Sequence, residues 1–432
     1  MSIFTPDARF QPWWWEAAPR AATANPPLPN KIDVAIVGAG YTGLSAALAL
    51  ARAGRSVVVF DAADPGEGAS TRNGGMLGSG HRLSFDALCI RYDRPRALAI
   101  LKEGLASLDF TVDLIARENL QCAFAQTGRF RAAWRSADYD AMGREIDLLR
   151  KEIGLEADMV PRSEQHKEVG TDAYHGGCLY HQHGAVQPAL FHKGLLERVV
   201  AAGANVVGQT PVAGIESENN GFVVLTQHSR VPARDVIVAT NGYTGAATPA
   251  FRRRLVPVAS YIVATEPLAP EVMQRLIPSG RMIVETRLRH CYYRVAPDGR
   301  RLLFGGRAAL RAIDPRKSGM RLHRLLVELF PDLTDARVTH SWAGLLGFSM
   351  DGLPHVGIHN GVHFAMGYSG SGVAMAPYLG YKVAHKVLGS KAGTTALDDT
   401  RFAPIPLYNG RPWFLPFLDI YYRLADRMER SA

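Results

Sequence analysis

The chain has 432 residues, 47% of them hydrophobic and 21% charged, which excludes a largely disordered protein. That length supports two or three domains whose cores need no disulfide or metal staple. The balance of 49 Lys+Arg against 40 Asp+Glu gives a net charge of +9, but the densest basic run is only Arg252-Arg253-Arg254, so no nucleic-acid-binding tract is expected.

In chain order, residues 1–30 read as an arm. Trp13-Trp14-Trp15 precede a Pro/Ala stretch from Pro19 to Pro29, and the tryptophans are expected to fasten this arm to the body. No basic segment followed by an apolar one suggests a secretory signal, and no run of 18 apolar residues suggests a membrane span, so a cytoplasmic protein is expected. The cysteines Cys89, Cys122, Cys178 and Cys291 stand apart, without the paired spacing of a zinc or redox site. No metal is expected.

The strongest signal starts at Asp33. DVAIV (Asp33–Val37) is an apolar run fit for a buried parallel strand. Gly38-Ala39-Gly40-Tyr41-Thr42-Gly43 follows, then a helix over 44–53, Gly54 as its stop, and a second buried strand over 56–60 ending at Asp61. GxGxxG in this strand–turn–helix setting is the fingerprint of a dinucleotide site. Gly38 allows the sharp turn, Gly40 lets backbone approach a pyrophosphate, and Gly43 lets the helix pack on the strand. Asp61 stands where a carboxylate accepts from ribose hydroxyls, and it repels a 2′-phosphate. The next loop, GEGASTRNGG over 66–75, is rich in small residues and suits a larger, permanently held cofactor better than a nicotinamide nucleotide.

Residues 82–156 read as mostly helical, and 188–202 as a further helix. Short strands are expected over 205–208, 212–216 and 222–226, and a buried strand over 235–239 that closes on Thr240-Asn241-Gly242. Residues 256–310 look β-rich, with a turn at Pro297-Asp298-Gly299, and 316–329 helical. A Gly-rich stretch over 341–389 then contains a strand at 362–366, the turn Gly367-Tyr368-Ser369-Gly370-Ser371-Gly372 and a helix over 373–388. A helix N-terminus placed there favours negative charge, as on the pyrimidine edge of a flavin. The aromatic and basic segment 412–428 is expected to dock on the body, with an anionic lipid surface as the alternative.

Taken together, VGAGYTGLSAALAL, GASTRNGGM, DVIVATNGYT, YYRVAPDGRRLLFGG, SWAGLLGFSMDGLPHVG and GYSGSGVAMA resemble the D-amino-acid-oxidase-like superfamily of flavoproteins, from about residue 30 to the end. The resemblance implies an α/β (α+β) fold: a Rossmann-like FAD-binding domain with an inserted mixed β-sheet substrate domain. It implies an FAD-binding domain over 31–80, 160–250 and 340–400, a substrate domain over 81–159 and 251–339, and a C-terminal extension over 401–432.

It also implies oxidation of a C–N bond, with a small-molecule amine of the gamma-glutamylputrescine kind as substrate and oxygen or another acceptor reoxidising the flavin. A D-amino-acid or glycine-type oxidoreductase and a noncatalytic flavin-binding protein are the alternatives. FAD-binding positions implied are Gly38, Gly40, Tyr41, Thr42, Gly43 and Asp61; Ala69, Ser70, Thr71, Arg72, Asn73, Gly74, Gly75 and Met76; Val212; Thr240, Asn241 and Gly242; Gly344; and Gly370, Ser371, Gly372 and Val373.

Four features depart from relatives. No cysteine stands near Trp342 or Ala343, where a tether would fall, which implies noncovalent FAD. Leu302-Leu303-Phe304 lack a lysine associated with oxygen activation. Ala374 stands where a lysine grips a small substrate's carboxylate, and Ser371 replaces a histidine. Catalytic candidates are Tyr293, Arg307 and His355, with Tyr292 and Arg294 beside them. An arginine there would bind a remote carboxylate; equally, Arg294 and Arg307 could be solvated strand residues and His355 a packed one.

Overall fold

The computed structural model describes residues 2–19 and 27–431, and in the last helix the side chains of Arg423 and of residues 426–431 fall outside the description. Most of the Pro/Ala stretch expected to extend as an arm therefore lies outside the described residues. Among the described residues the strands form two large sheets and a two-stranded ribbon.

The first sheet has a parallel centre. Ile32–Val37, Val57–Phe60 and Asn205–Val207 lie side by side, and Arg230–Val238 pairs in parallel with both Ile32–Val37 and Val362–Met366. Antiparallel strands Val212–Glu218, Gly221–Thr226 and His355–His359 extend it. The first strand is apolar throughout because both faces are covered. Val34 and Ile36 enter a core shared with helices Tyr41–Arg52, Pro188–Ala201 and Gly372–Val387, whereas Ala35 and Val37 enter another with Phe251, Phe364 and Met366.

The helices that follow the two glycine turns cross at small residues. A Cβ on Gly380 would stand 2.3 Å from the Thr42 carbonyl oxygen, and Ser45 Oγ donates to the Pro377 carbonyl at 2.6 Å. This close approach holds the two helices in one fixed relation.

The second sheet is mixed. Its order is Phe4–Arg9, Val338–Phe348, Val256–Thr265, Leu302–Gly306, Cys291–Val295, Met282–Glu285, Arg129–Ala132, Gly177–Tyr180 and Ala157–Val160. Alternate side chains take opposite faces. Tyr261, Val263, Tyr293 and Phe304 pack under helix Pro315–Leu329, while Ile262, Tyr292, Leu303 and Trp342 face Trp14 and Trp15. A mixed α/β protein with a Rossmann-like unit is thus the class expected.

Three elements differ from expectation. Residues Phe4–Arg9, read as arm, form a strand; Pro6 hid it, and it is tolerated because the strand is at the sheet edge. Val338–Phe348, read partly as a Gly-rich connection, is a long strand. Its glycines answer close contacts: a Cβ on Gly347 would lie 2.3 Å from Asn241 Oδ1, and one on Gly344 3.2 Å from Arg72 Cβ. The region read as helical contains strand Arg129–Ala132, flanked by helices Arg94–Arg117 and Ser136–Ile153. Its neighbour Gly177–Tyr180, though inside the segment assigned to the FAD-binding domain, pairs with it in the second sheet.

Candidate functional site

The first glycine turn is defined by backbone obstacles. Gly38 has φ +106°, and a Cβ there would meet the Ala239 carbonyl oxygen at 3.0 Å. On Gly43 a Cβ would sit 1.9 Å from the Gly38 carbonyl oxygen. On Gly40 it would meet Ser70 Oγ at 2.9 Å, and that hydroxyl accepts from the Tyr41 N–H at 3.0 Å. Gly40 therefore makes room for the 66–75 loop as well as for a ligand. The Tyr41 side chain turns away, its hydroxyl donating to the Pro188 carbonyl. Helix Tyr41–Arg52 starts with no side-chain cap.

Asp61 closes the second strand. Its Oδ2 accepts from the Ala39 N–H at 2.8 Å and its Oδ1 from the Ala63 N–H at 3.1 Å; burial raises its pKa. It braces the turn and also lines a cavity of about 370 Å³ with Val212.

The same cavity reaches the second turn. Gly370 (φ +110°), Gly372, Val373 and Tyr368 line it, and helix Gly372–Val387 also starts without a side-chain cap, at Ser371, which is not in the lining. Thr42 Oγ1 and Tyr368 Oη stand 2.6 Å apart, so the two turns touch. Thr240 and Asn241 form a third wall; Asn241 Oδ1 accepts from the Gly367 N–H at 2.9 Å. Gly242 is outside the lining, and a Cβ on it would meet the Leu345 carbonyl oxygen at 2.9 Å. Two uncapped helix N-termini on one cavity supply N–H donors and positive dipole ends for phosphate and other negative charge. The glycine cradle and this donor set fit FAD.

The 66–76 loop divides. Ala69, Ser70 and Asn73 line the cavity; Thr71, Arg72, Gly74, Gly75 and Met76 do not. Those five hold the loop in place. Thr71 Oγ1 accepts from Trp15 Nε1 at 2.9 Å, and Arg72 pairs with Glu67 at 2.5 Å and lies over the Trp15 ring. Gly74 abuts the Tyr292 ring, the Gly75 carbonyl accepts from Arg294, and Met76 pairs with Ala185. Gly344 touches Arg72 from outside the lining. Indole N–H groups complete the brace: Trp14 donates to the Asn73 carbonyl and Trp342 to the Arg72 carbonyl, each at 2.9 Å. The tryptophans do fasten the N-terminal segment, and they also fix this loop.

The catalytic candidates separate. Tyr293 is on the helix side of its sheet, with its hydroxyl 3.0 Å from that of Tyr174 and its ring stacked on Phe304; strand alternation takes it away from the cavity side. Tyr292 is the residue on the side of the loop, its hydroxyl 3.0 Å from Ser260 Oγ, its pKa pushed up to about 12 chiefly by burial. Arg294 is a buried strut between the Gly75 and Val186 carbonyls. His355 is a packed residue: Nε2 meets Asp351 Oδ1 at 2.9 Å, Nδ1 meets Thr400 Oγ1 at 3.1 Å, and the ring stacks on Phe402. Arg307 is buried with its guanidinium over the Phe348 ring. Leu346, Gly347 and Tyr243, which also line the cavity, carry no sequence signal beyond the motifs beside them.

Comparison with known proteins agrees with this geometry. The family described as "DAO: FAD dependent oxidoreductase" matches residues 33–386. The chain is 32% identical to "Probable oxidoreductase OrdL" of Rhizobium meliloti, over 96% of this chain and 97% of that one. It is 28% identical to "Gamma-glutamylputrescine oxidoreductase" of Escherichia coli, over 92% of this chain and 93% of the other. The crystal structure of glycine oxidase from Geobacillus kaustophilus superposes with a TM-score of 0.72 at 24% identity, covering 88% of this chain and all of that one, a likeness of fold.

Proposed function

The chain belongs to the DAO family of FAD-dependent oxidoreductases, and from that membership we propose that it oxidises the C–N bond of a primary or secondary amine carrying a distant polar group, of the gamma-glutamylputrescine kind, with noncovalently held FAD. The carrying observation is the convergence of two uncapped helix N-termini on one cavity. FAD, when bound, supplies the acceptor for the hydride leaving the amine carbon. The chain's own residues hold and orient. Gly38, Gly40 and Thr42 take the pyrophosphate, Asp61 and Val212 the adenosine end, and Gly370, Gly372 and Val373 the pyrimidine edge. Tyr292 and Ser260 border the substrate side, where a neutral amine needs positioning more than a base.

Among the described residues no cysteine or histidine lines the cavity, which supports a noncovalent attachment. Acid precipitation of the yellow protein should therefore leave the flavin in the supernatant; colour in the pellet would overturn that point. Anaerobic mixing tests the substrate. Bleaching by gamma-glutamylputrescine but not by D-alanine or glycine is the expected result; the reverse pattern supports a D-amino-acid or glycine enzyme instead. Reoxidation in air should be slow, since among the described residues no lysine lines the cavity; rapid, stoichiometric peroxide would contradict this.

A further inference from the structure

The C-terminal helix Leu415–Ser431 carries apolar side chains on two faces. Leu415, Leu418 and Tyr422 turn inward and pack in one cluster with Val256, Phe348 and Tyr408. Trp413, Phe417, Ile420 and Leu424 recur at spacings of three and four residues and turn outward, with Tyr421 beside them; Phe417 is 68% exposed. Leu407, in the segment leading to the helix, is 92% exposed. Scattered exposed hydrophobes need no explanation, but a continuous outward stripe on a helix already packed by its other face marks a contact surface.

Positive charge gathers where the stripe begins. The densest basic run of the sequence, Arg252-Arg253-Arg254, lies at the end of helix Pro249–Arg252, and the fold lays the C-terminal segment along it. The Arg253 carbonyl accepts from the Ile405 N–H at 2.9 Å, and the Arg252 side chain packs against Gly410, next to the exposed Arg411. Arg254 donates to the Ala250 and Phe402 carbonyls, which leaves Arg252, Arg253 and Arg411 as the cations of this corner. Arg253 and Arg411 are exposed, and neither pairs with a carboxylate among the described residues. Among the described side chains from Arg401 to Leu424 no acid is exposed; Asp419 is half-buried.

We infer that this face docks on the surface of an anionic lipid bilayer. The helix lies in the plane of the interface, its outer stripe at the boundary of the acyl chains and Arg252, Arg253 and Arg411 at the headgroup phosphates. Trp413 and Tyr421 suit that level, because each ring has an apolar body and a polar edge. No helix among the described residues is long and apolar enough to cross a membrane, so this one lies on the bilayer rather than through it. A second copy meeting the same face about a two-fold axis would bring the same cations together, whereas anionic headgroups complement them.

Flotation of the flavin-loaded protein with vesicles tests this. Vesicles of equal parts phosphatidylcholine and phosphatidylglycerol should carry the protein at low salt, and vesicles of phosphatidylcholine alone should carry about tenfold less. Phe417→Glu and Ile420→Glu should each lower the apparent affinity about tenfold or more, and both side chains are exposed, so the fold tolerates the change. Arg253→Glu combined with Arg411→Glu should lower it about as much, and so should raised salt acting on the wild type. Val200→Glu, which removes an exposed apolar side chain from helix Pro188–Ala201, should change nothing. The flavin absorbance of each variant reports that it is folded. Wild-type protein that floats with neither vesicle, that floats equally with both, or that is matched by Phe417→Glu would overturn the assignment. A dimer in gel filtration that Phe417→Glu splits, with no capture by vesicles, would overturn it too and give the face to a second copy.

Discussion

Single atoms decide whether the first turn holds its ligand. A methyl group on Gly43 would lie 1.9 Å from the Gly38 carbonyl oxygen, a backbone atom that no side-chain rotation relieves. Gly43→Ala should therefore destabilise the fold by about 3 kcal/mol, and the purified variant should carry little flavin, measured as the ratio of visible to ultraviolet absorbance. The neighbouring tyrosines offer a paired test of strand alternation. Tyr293→Phe removes a buried hydrogen bond to Tyr174 and should cost about 1 kcal/mol in denaturant unfolding while leaving the rate of flavin bleaching by amine unchanged. Tyr292→Phe should change that rate or the apparent substrate affinity, because its hydroxyl borders Ser260 on the loop side. A reversal of the two results would place the substrate on the wrong side of the sheet.

At the scale of elements, the glycine-turn helix is tied at its far end as well. Arg52, in its last turn, donates to both oxygens of Glu118 at 2.7 Å, just past helix Arg94–Arg117, and Arg117 adds a third contact. These arginines hold the buried Glu118 carboxyl below its ordinary value of 4.5. A carboxylate whose folded pKa is depressed contributes stability above its unfolded pKa and loses it as pH falls through the folded one. Glu118→Gln should thus lower the melting temperature at pH 7, by the equivalent of about 1 kcal/mol since Arg52 is half exposed, and the deficit should shrink progressively below about pH 4.5. A deficit independent of pH would mean that packing, not charge, joins these helices.

Across the whole molecule, segments outside the family match pack on the body, and the N-terminal one reaches the loop that lines the cavity. The N-terminal segment adds an edge strand to the second sheet and sends the indoles of Trp14 and Trp15 to Asn73 and Thr71. A chain lacking residues 2–19 should fold yet lose flavin during gel filtration, whereas full retention would make those indole bonds incidental. The C-terminal helix Leu415–Ser431 docks through Leu415, Leu418 and Tyr422 beside Phe348, and leaves Trp413, Phe417, Ile420, Tyr421 and Leu424 exposed on or just before it. Docking on the body, one of the two expectations for this segment, describes its inner face.

The dinucleotide turn is legible in the amino-acid string because its information is local: strand, glycines, helix and terminal acid occur within thirty residues, and each glycine has a steric reason of its own. The second turn is legible for the same reason. What the string conveys less well depends on contacts between distant segments. Thr71, Arg72 and Gly75 look like ligands in a row, yet indoles from residues 15 and 342 and an arginine from 294 engage them as supports of the loop. Tyr292 and Tyr293 are indistinguishable as neighbours in a string, and pairing register alone sends one to the loop and the other under a helix. Arg82 carries no signal of its own in the string; only folding brings it to the ring of Phe348, over which Arg307 also lies.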